Sequence, residues 1–303
     1  AEAAWDEDAM ILLAIERVRE AAPEGRVLCA VSGGVDSAVC ARLASLAVGD
    51  RLMCVFVDTG LFRQGEPESV ISTFMDSMGL VVAQVDASEA FLRALSGVRS
   101  RDDKERIAEQ LMTQVLIKQL GYDPGIRAIV MGANLNDTLF GFSTSAEMES
   151  MKGAYNLCVC EPLRDLFKEE VRRLATALSL PDSIALRQPF PASGLALRIF
   201  GQVTPERLAV LRAADACFTE EIREAGYAKR LWQYYTNLVD SPDQPGTYAI
   251  SLRALQVSQG GATAARLAFD VLERASERIR SEVKGVARVV YDLTPSNHYG
   301  EME

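Results

Sequence analysis

One histidine, His298, stands among the 303 residues. That count excludes two-histidine zinc motifs and any Ser-His-Asp or Cys-His-Glu triad not built on His298. Positive charge is also scarce. Lys plus Arg number 32 against 42 Asp plus Glu, for a formal net charge of −10 and a pI near 4.9. A protein that grips nucleic acid backbones needs a basic face, so nucleic acid is not an expected partner; a local basic pocket for phosphates remains open. No apolar run reaches the ~18 residues of a membrane span, so no membrane partner is expected. The start is acidic (Glu2, Asp6, Glu7, Asp8), unlike the basic start of a secretory signal, and a cytoplasmic location is expected. The six cysteines, at 29, 40, 54, 158, 160 and 217, form no C-x-x-C pair. Small buried thiols are the simplest expectation for them.

Apolar runs alternate with helical periods over the first part of the chain. Strands are predicted at Val27–Val31, Leu52–Val57, Leu80–Val85, Ile126–Met131 and Asn156–Cys160. Helices are predicted at Met10–Glu20, Ser37–Ala47, Pro67–Met78, Ile107–Gln119 and Asp165–Leu178. That order implies an α/β domain: a parallel five-stranded sheet with helices on both faces. The two prolines and the glycine of Arg187-Gln188-Pro189-Phe190-Pro191-Ala192-Ser193-Gly194 end the pattern. We therefore expect a first domain over 1–187 and a smaller α+β domain over 188–303. In the latter, helices are predicted at Pro205–Ala225 and Thr263–Ser281, and strands at Tyr248–Ala254 and Ala287–Leu293.

The sharpest chemical signal is Ser32-Gly33-Gly34-Val35-Asp36-Ser37, between a predicted strand and a predicted helix. Adjacent glycines let backbone approach a ligand, and successive N–H groups can cup an anion. The helix N-terminus adds partial positive charge, and the hydroxyls of Ser32 and Ser37 can donate to phosphate oxygens. Asp36 fits beside phosphates if a cation such as Mg2+ lies between them. No Gly-Lys-Ser/Thr follows, so this is not the Walker motif.

The string resembles the PP-loop of N-type ATP pyrophosphatases, which adenylate an oxygen of a second substrate and release pyrophosphate. Further segments resemble GMP synthetase in order. Val55-Phe56-Val57-Asp58-Thr59-Gly60-Leu61-Phe62-Arg63 is similar to its V-F-V-D-N-G-L-L-R. Glu161-Pro162-Leu163-Arg164-Asp165-Leu166-Phe167-Lys168-Glu169-Glu170-Val171-Arg172 is similar to E-P-L-R-x-L-F-K-D-E-V-R. Pro189 to Ile199 is similar to P-F-P-G-P-G-L-A-I-R-I. The segments Asp270–Arg274 and Val286–Thr294 resemble the family's dimerisation domain. The resemblance runs from about Trp5 to Thr294.

It implies an adenine nucleotide alpha hydrolase-like fold followed by the dimerisation domain, with ATP and Mg2+ as cofactors. It implies catalytic roles for Asp36 and Lys168, with Asp36 also the metal ligand. ATP contacts are implied for Ala30, Ser32, Gly33, Gly34, Val35, Asp36, Ser37, Phe56, Asp58 and Gly132. Substrate contacts are implied for Arg164, Arg198 and Glu301. The family carries a lid near Lys104 and Arg106, which makes both candidates for ATP contact. Cys158 and Cys160, just before Glu161, are candidates for carrying sulfur. A homodimer is implied.

The departures lie on the acceptor side. The family's K-P-P-[AG]-T-I-E-W-E is replaced by Pro295-Ser296-Asn297-His298-Tyr299-Gly300-Glu301-Met302-Glu303. The usual two-histidine loop is replaced by Lys152-Gly153-Ala154-Tyr155, and the Asn of V-D-N-G is Thr59. Arg187, Arg198 or His298 could restore the lost positive charge. No glutaminase set is expected in this chain, so ammonia would come from solution or from a separate glutaminase subunit. Three functions stay open: amination of a purine-like acceptor as in GMP synthetase, amination or thiolation of a different acceptor by a diverged relative with a sulfur donor, and nucleotide-binding regulation without turnover.

Overall fold

The computed structural model describes residues 6–135, 157–185, 187–188, 190–191, 193–258 and 261–295. Expectations for Glu301, His298 and residues 136–156 fall outside them. The chain divides into two compact units. The first comprises Ala1–Asp58, Pro67–Ala87 and Gln110–Arg187; the second comprises Thr59–Glu66, Ser88–Glu109 and Gln188–Glu303. Among the described residues, no helix is long and apolar enough to cross a membrane.

The first unit is built on five parallel strands: β1 (Arg26–Val31), β2 (Leu52–Asp58), β3 (Val82–Asp86), β4 (Ile126–Val130) and β5 (Cys158–Cys160). Their order is β3-β2-β1-β4-β5. Val27, Leu28 and Cys29 are fully buried in the central strand, as continuous apolar runs require when both sheet faces are covered. Helices α1 (Glu7–Ala21) and α2 (Val35–Val48) lie in this part of the chain. Asp6 caps α1, accepting from Asp8 N at 3.1 Å and Ala9 N at 3.3 Å. Helix α2 is apolar nearly all round, with Ala38, Val39, Cys40, Ala41, Leu43 and Ala44 fully buried, because it packs on α1 and on β1.

Short helices α3 (Glu66–Ser72) and α4 (Ser88–Ala94) and the long α5 (Arg101–Tyr122) come next. The first of these passes into a π turn over Thr73–Ser77. Helix α5 starts earlier than its apolar pattern suggested; Asp102 and Asp103 in its first turn suit the positive end of a helix. Helices α6 (Lys168–Ala177) and α7 (Asp182–Ala185) follow among the described residues of the first unit. The former buries Val171, Leu174 and Ala175 on one face.

The second unit packs α8 (Pro205–Glu224) and α9 (Phe269–Glu282) with strands β6 (Gln233–Asp240), β7 (Tyr248–Ser258), β8 (Gly261–Ala264) and β9 (Val286–Tyr291). Strands β6 and β8 run antiparallel to β7, and β9 runs parallel to it. The helix expected from Thr263 begins only at Phe269, because Gly261–Ala264 pairs with β7 instead. Residues 59–66 belong here through specific bonds. Arg212 donates from Nε to Phe62 O at 2.8 Å, and Arg63 pairs with Asp215 at 3.2 Å. Gly194 has φ +60, and a Cβ there would come within 2.5 Å of Leu61 O, so this close approach needs glycine.

Candidate functional site

All five strands of the first sheet are parallel, so their carboxyl ends share one edge. Strand order reverses beside β1, and open α/β sheets bind ligands at such a switch point. The loop after β1 lies there. Gly33 takes φ +79 and Gly34 is the N-cap of α2, without any capping side chain. The first N–H groups of α2 are thus left without the side-chain acceptor that caps many helices. Ser37 braces the loop from inside. Its buried Oγ accepts from Ser32 N at 3.1 Å and donates to Gly34 O at 3.0 Å. Ser32 is exposed, with its Oγ 3.2 Å from that of Ser37.

Asp36 follows in the first turn of α2. Its carboxylate accepts from Lys168 Nζ on Oδ2 and from Asn134 Nδ2 at 3.4 Å on Oδ1. Lys168 is the first residue of α6. The side chains of Asp36 and Lys168 are each 17% exposed. Gly132, just past β4, gives the loop room: a Cβ there would stand 3.1 Å from Ser37 N. Arg187 lies against the loop on another side, since a Cβ on Gly33 would overlap its Nη1. Ala30 is half-buried in β1 and Val35 is buried at the start of α2. Asp58 ends β2, its carbonyl accepting from Ala87 N at 2.8 Å.

Three donor types converge here: the Asp36 carboxylate, the Asn134 amide and serine hydroxyls. All offer hard oxygen, which suits Mg2+. Among the described residues, no group of three His, Cys, Asp or Glu could cage a metal by protein atoms alone. Of these groups, the Asp36 carboxylate is the one that could hold magnesium.

Other candidates lie elsewhere. Phe56 is fully buried in β2, so its ring supports the sheet from the core rather than lining the loop. Arg164 is exposed. Arg198 is 2% exposed in the second unit, its guanidinium 3.3 Å above the Tyr235 ring, and burial pushes it down to about 10. Cys160 is buried and its thiol is pushed up to about 12 by burial, which keeps it protonated; Cys158 is exposed. Thr59 is buried and accepts from Leu61 N at 3.2 Å, so it takes the turn-forming part that an Asn would play. Arg106 pairs with Asp103 at 2.8 Å on the surface.

Lys104, another lid candidate, is 2% exposed in the second unit. Its Nζ donates to Ala196 O at 3.1 Å and to Ile199 O at 2.6 Å. Burial, then repulsion from Arg207 and Arg101, pushes it down to about 8 from 10.5. The unfolded chain keeps its proton up to the higher value. Between those values the unfolded state binds more protons, so raising the pH favours folding there; below the lower value the cost of burying the charge is fully present. Denaturant titrations from pH 8 to about 10.5 should therefore show wild-type stability rising relative to Lys104→Met. Parallel pH curves for the two proteins would contradict this.

Comparison with known proteins then decides the family. The model described as NAD synthase matches residues 9–209, and the model described as GMP synthase C terminal domain matches 220–298. The chain belongs to the NAD synthase family of PP-loop ATP pyrophosphatases. Within it, the chain is GMP synthetase-like. It is 40% identical over 306 residues to the glutamine-hydrolyzing GMP synthase of Carboxydothermus hydrogenoformans, covering 96% of this chain and 60% of that protein. It is 41% identical, at the same coverage, to that of Symbiobacterium thermophilum. The chain thus spans about 60% of the length of these relatives.

Among solved structures, NMN synthetase from Francisella tularensis superposes with a TM-score of 0.50 at 19% identity, over 63% of this chain and 78% of that one. The NH3-dependent NAD synthetase from Campylobacter jejuni gives 0.50 at 18%, over 61% and 78%. At those identities the likeness speaks to the fold of the PP-loop unit. Two residues at the PP-loop were not singled out for it from sequence. Asn134 had a usable signal, a polar side chain just beyond a strand at the sheet's carboxyl edge. Arg187 had none, since 150 residues separate it from the loop it touches.

Proposed function

We propose that the chain is the ATP-activating part of an AMP-forming ligase that aminates a purine-like acceptor. The observation that carries this is the loop Ser32–Ser37, with its uncapped helix start and the Asp36–Lys168 pair beside it. In this assignment the N–H groups of Gly33, Gly34, Val35, Asp36 and Ser37 and the hydroxyl of Ser32 hold the β- and γ-phosphates. Asp36 would hold magnesium, which would supply positive charge for the departing pyrophosphate. Lys168, paired with Asp36 in the free chain, would serve a phosphate oxygen in this assignment. The acceptor oxygen attacks the α-phosphorus while the bond to the β-phosphate oxygen breaks. Ammonia then attacks the adenylated carbon, the C–O bond breaks, AMP departs and a proton is lost. The chain's part in the first step is positioning and charge stabilisation, the dominant effects in phosphoryl and nucleotidyl transfer. Ala30, Asp58 and Gly132 would line the ATP site; Arg164 and Glu301 are the proposed acceptor contacts, and Arg198, buried against Tyr235, is better placed to support the second unit's core than to touch an acceptor.

The acceptor is the finer question. The C-terminal stretch Pro295–Glu303 and the segment Lys152–Tyr155 depart from the GMP synthetase pattern, while Ser32–Ser37 does not. A lost charge-assisted hydrogen bond to a substrate phosphate costs about 1.5–3 kcal/mol. Xanthosine monophosphate is therefore expected to be a weaker substrate here than for an ordinary GMP synthetase, or none. The test is pyrophosphate release from ATP against a panel of purine nucleotides, with ammonia or sulfide. Efficient turnover of xanthosine monophosphate at a micromolar Michaelis constant, as in competent enzymes, would count against the shift. Turnover only with sulfide would favour the thiolating relative and a sulfur-donor partner, and no pyrophosphate with any acceptor would favour a regulator. A glutaminase subunit is the proposed partner if ammonia at neutral pH proves limiting.

A homodimer through the second unit is part of the same proposal. Helix α9 and strands β7 and β9 leave a groove that combines the apolar Leu252, Phe269, Leu272, Val289, Val290 and Tyr291 with the polar Glu273, Ser276, Glu277 and Arg280. Phe269 and Val290 are exposed there. An obligate dimer interface buries roughly 2,000 Å² or more. Light scattering at micromolar concentration should give twice the chain mass; a monomer contradicts the proposal.

A further inference from the structure

Arg187 ends the first unit, and its guanidinium meets the chain's phosphate loop. Gly33 sits at φ +79, and a Cβ built on it would overlap Nη1 of Arg187 and Cγ2 of Val70. The guanidinium therefore rests on the Cα of the loop's first glycine. The backbone that carries it is held: Arg187 N donates to Ile184 O at 3.2 Å, closing the turn after α7. The side chain is half-buried, which limits the positions it can reach. Two cations thus mark the loop, Lys168 beside Asp36 and Arg187 against Gly33.

We propose that Arg187 is a phosphate-binding residue of this loop, holding the β- and γ-phosphates of ATP and the pyrophosphate as it leaves; this rests on taking Ser32–Ser37 as the phosphate site. Several features favour it over a purely structural arginine. A guanidinium presents a planar fork of donors that matches phosphate oxygens two at a time. The leaving pyrophosphate gains negative charge as the α–β bond breaks, and a cation already in place stabilises it without reorganisation. The chain carries a net charge of −10, so a cation at the phosphate loop offsets a generally repulsive field. Gly33 gains a second reason to be glycine. Besides its positive φ, any side chain there would push the guanidinium off the loop.

Isothermal titration of the whole chain with pyrophosphate in magnesium buffer tests this, using wild type, Arg187→Ala, Arg187→Gln and Lys168→Ala. Both Arg187 variants should bind pyrophosphate about ten- to a hundredfold more weakly than wild type, with AMP affinity unchanged. Equal pyrophosphate affinity in wild type and the Arg187 variants, with Lys168→Ala weakened, would overturn the role of Arg187 and leave the loop as the phosphate site. Absence of pyrophosphate and ATP binding in wild type would overturn both. Circular dichroism checks folding; if Arg187→Ala does not fold, Arg187→Gln decides alone, and unchanged affinity in it overturns the proposal. A loss of affinity for the acceptor nucleotide in place of pyrophosphate would also overturn it, moving Arg187 to the acceptor.

Discussion

Asp36→Ala should lower pyrophosphate release by about a thousandfold or more while the chain stays folded. Asp36 sits in the first turn of α2, with Lys168 on one carboxylate oxygen and Asn134 on the other. No cluster of acidic or thiol ligands exists among the described residues to take over a metal. Without Asp36, charge compensation for the phosphates is lost, a change worth several kcal/mol in the transition state. The fold has less at stake. A carboxylate near a helix N-terminus contributes about 0.3–1 kcal/mol, and its loss also leaves Lys168 half-buried without this partner. A melting temperature lowered by a few degrees is expected. Single-turnover release of pyrophosphate from labelled ATP is the measurement. Turnover within about tenfold of wild type would remove Asp36 from the metal and catalytic roles.

The parallel sheet was legible because its strands are apolar throughout, and that pattern survives burial on both faces. Val27–Val31 and Leu52–Val57 were predicted within a residue of β1 and β2. The second unit was harder. Strand β6, Gln-Tyr-Tyr-Thr-Asn-Leu-Val-Asp, lacks clean alternation because both of its faces are buried with polar groups included. Asp215, for one, takes hydrogen bonds from Thr236 N and Oγ1. Strand β8 is only four residues of small side chains, which pairing with β7 defines and local preference does not.

The division between the units was legible only in part, since nothing local says that residues 59–66 and 88–109 join the second unit. Those memberships come from long-range bonds, such as Arg212 to Phe62 O and Lys104 to Ile199 O. The loop Ser32–Ser37 was legible as a candidate anion cradle because its chemistry is contiguous in sequence. Its flanking groups, Lys168, Asn134 and Arg187, arrive from distant parts of the chain. Of these, Lys168 was reached through a resemblance of motif, and the ion pair with Asp36 needed the fold.

Lys168→Ala should lower the rate of pyrophosphate release by about a hundred- to a thousandfold, the range seen when one preorganised charge-stabilising donor is removed. Lysine is a poor choice for the first turn of a helix, where the macrodipole favours negative charge. Helix α6 nevertheless starts with Lys168, and Glu170 compensates by accepting from Phe167 N at 2.7 Å. A local rule broken beside Asp36 of the proposed phosphate loop points to function. In the free chain Lys168 pairs with Asp36; under the proposed function Asp36 would hold the metal and Lys168 would serve a phosphate oxygen. Stability and activity should therefore separate. Removing Lys168 takes a cation from a helix N-terminus, a small gain, and leaves Asp36 with Asn134 but without this ion pair, a partly offsetting cost, so the melting temperature should fall by a few degrees at most. Turnover should fall far more than ATP affinity, because charge on the bridging oxygen develops only as pyrophosphate leaves. Lys168→Arg should restore only part of the rate, since a planar guanidinium does not replace a compact ammonium point for point. The decisive comparison is turnover at saturating ATP against melting temperature in both variants. A full rate in Lys168→Ala with a large drop in melting temperature would make Lys168 no more than a structural partner of Asp36.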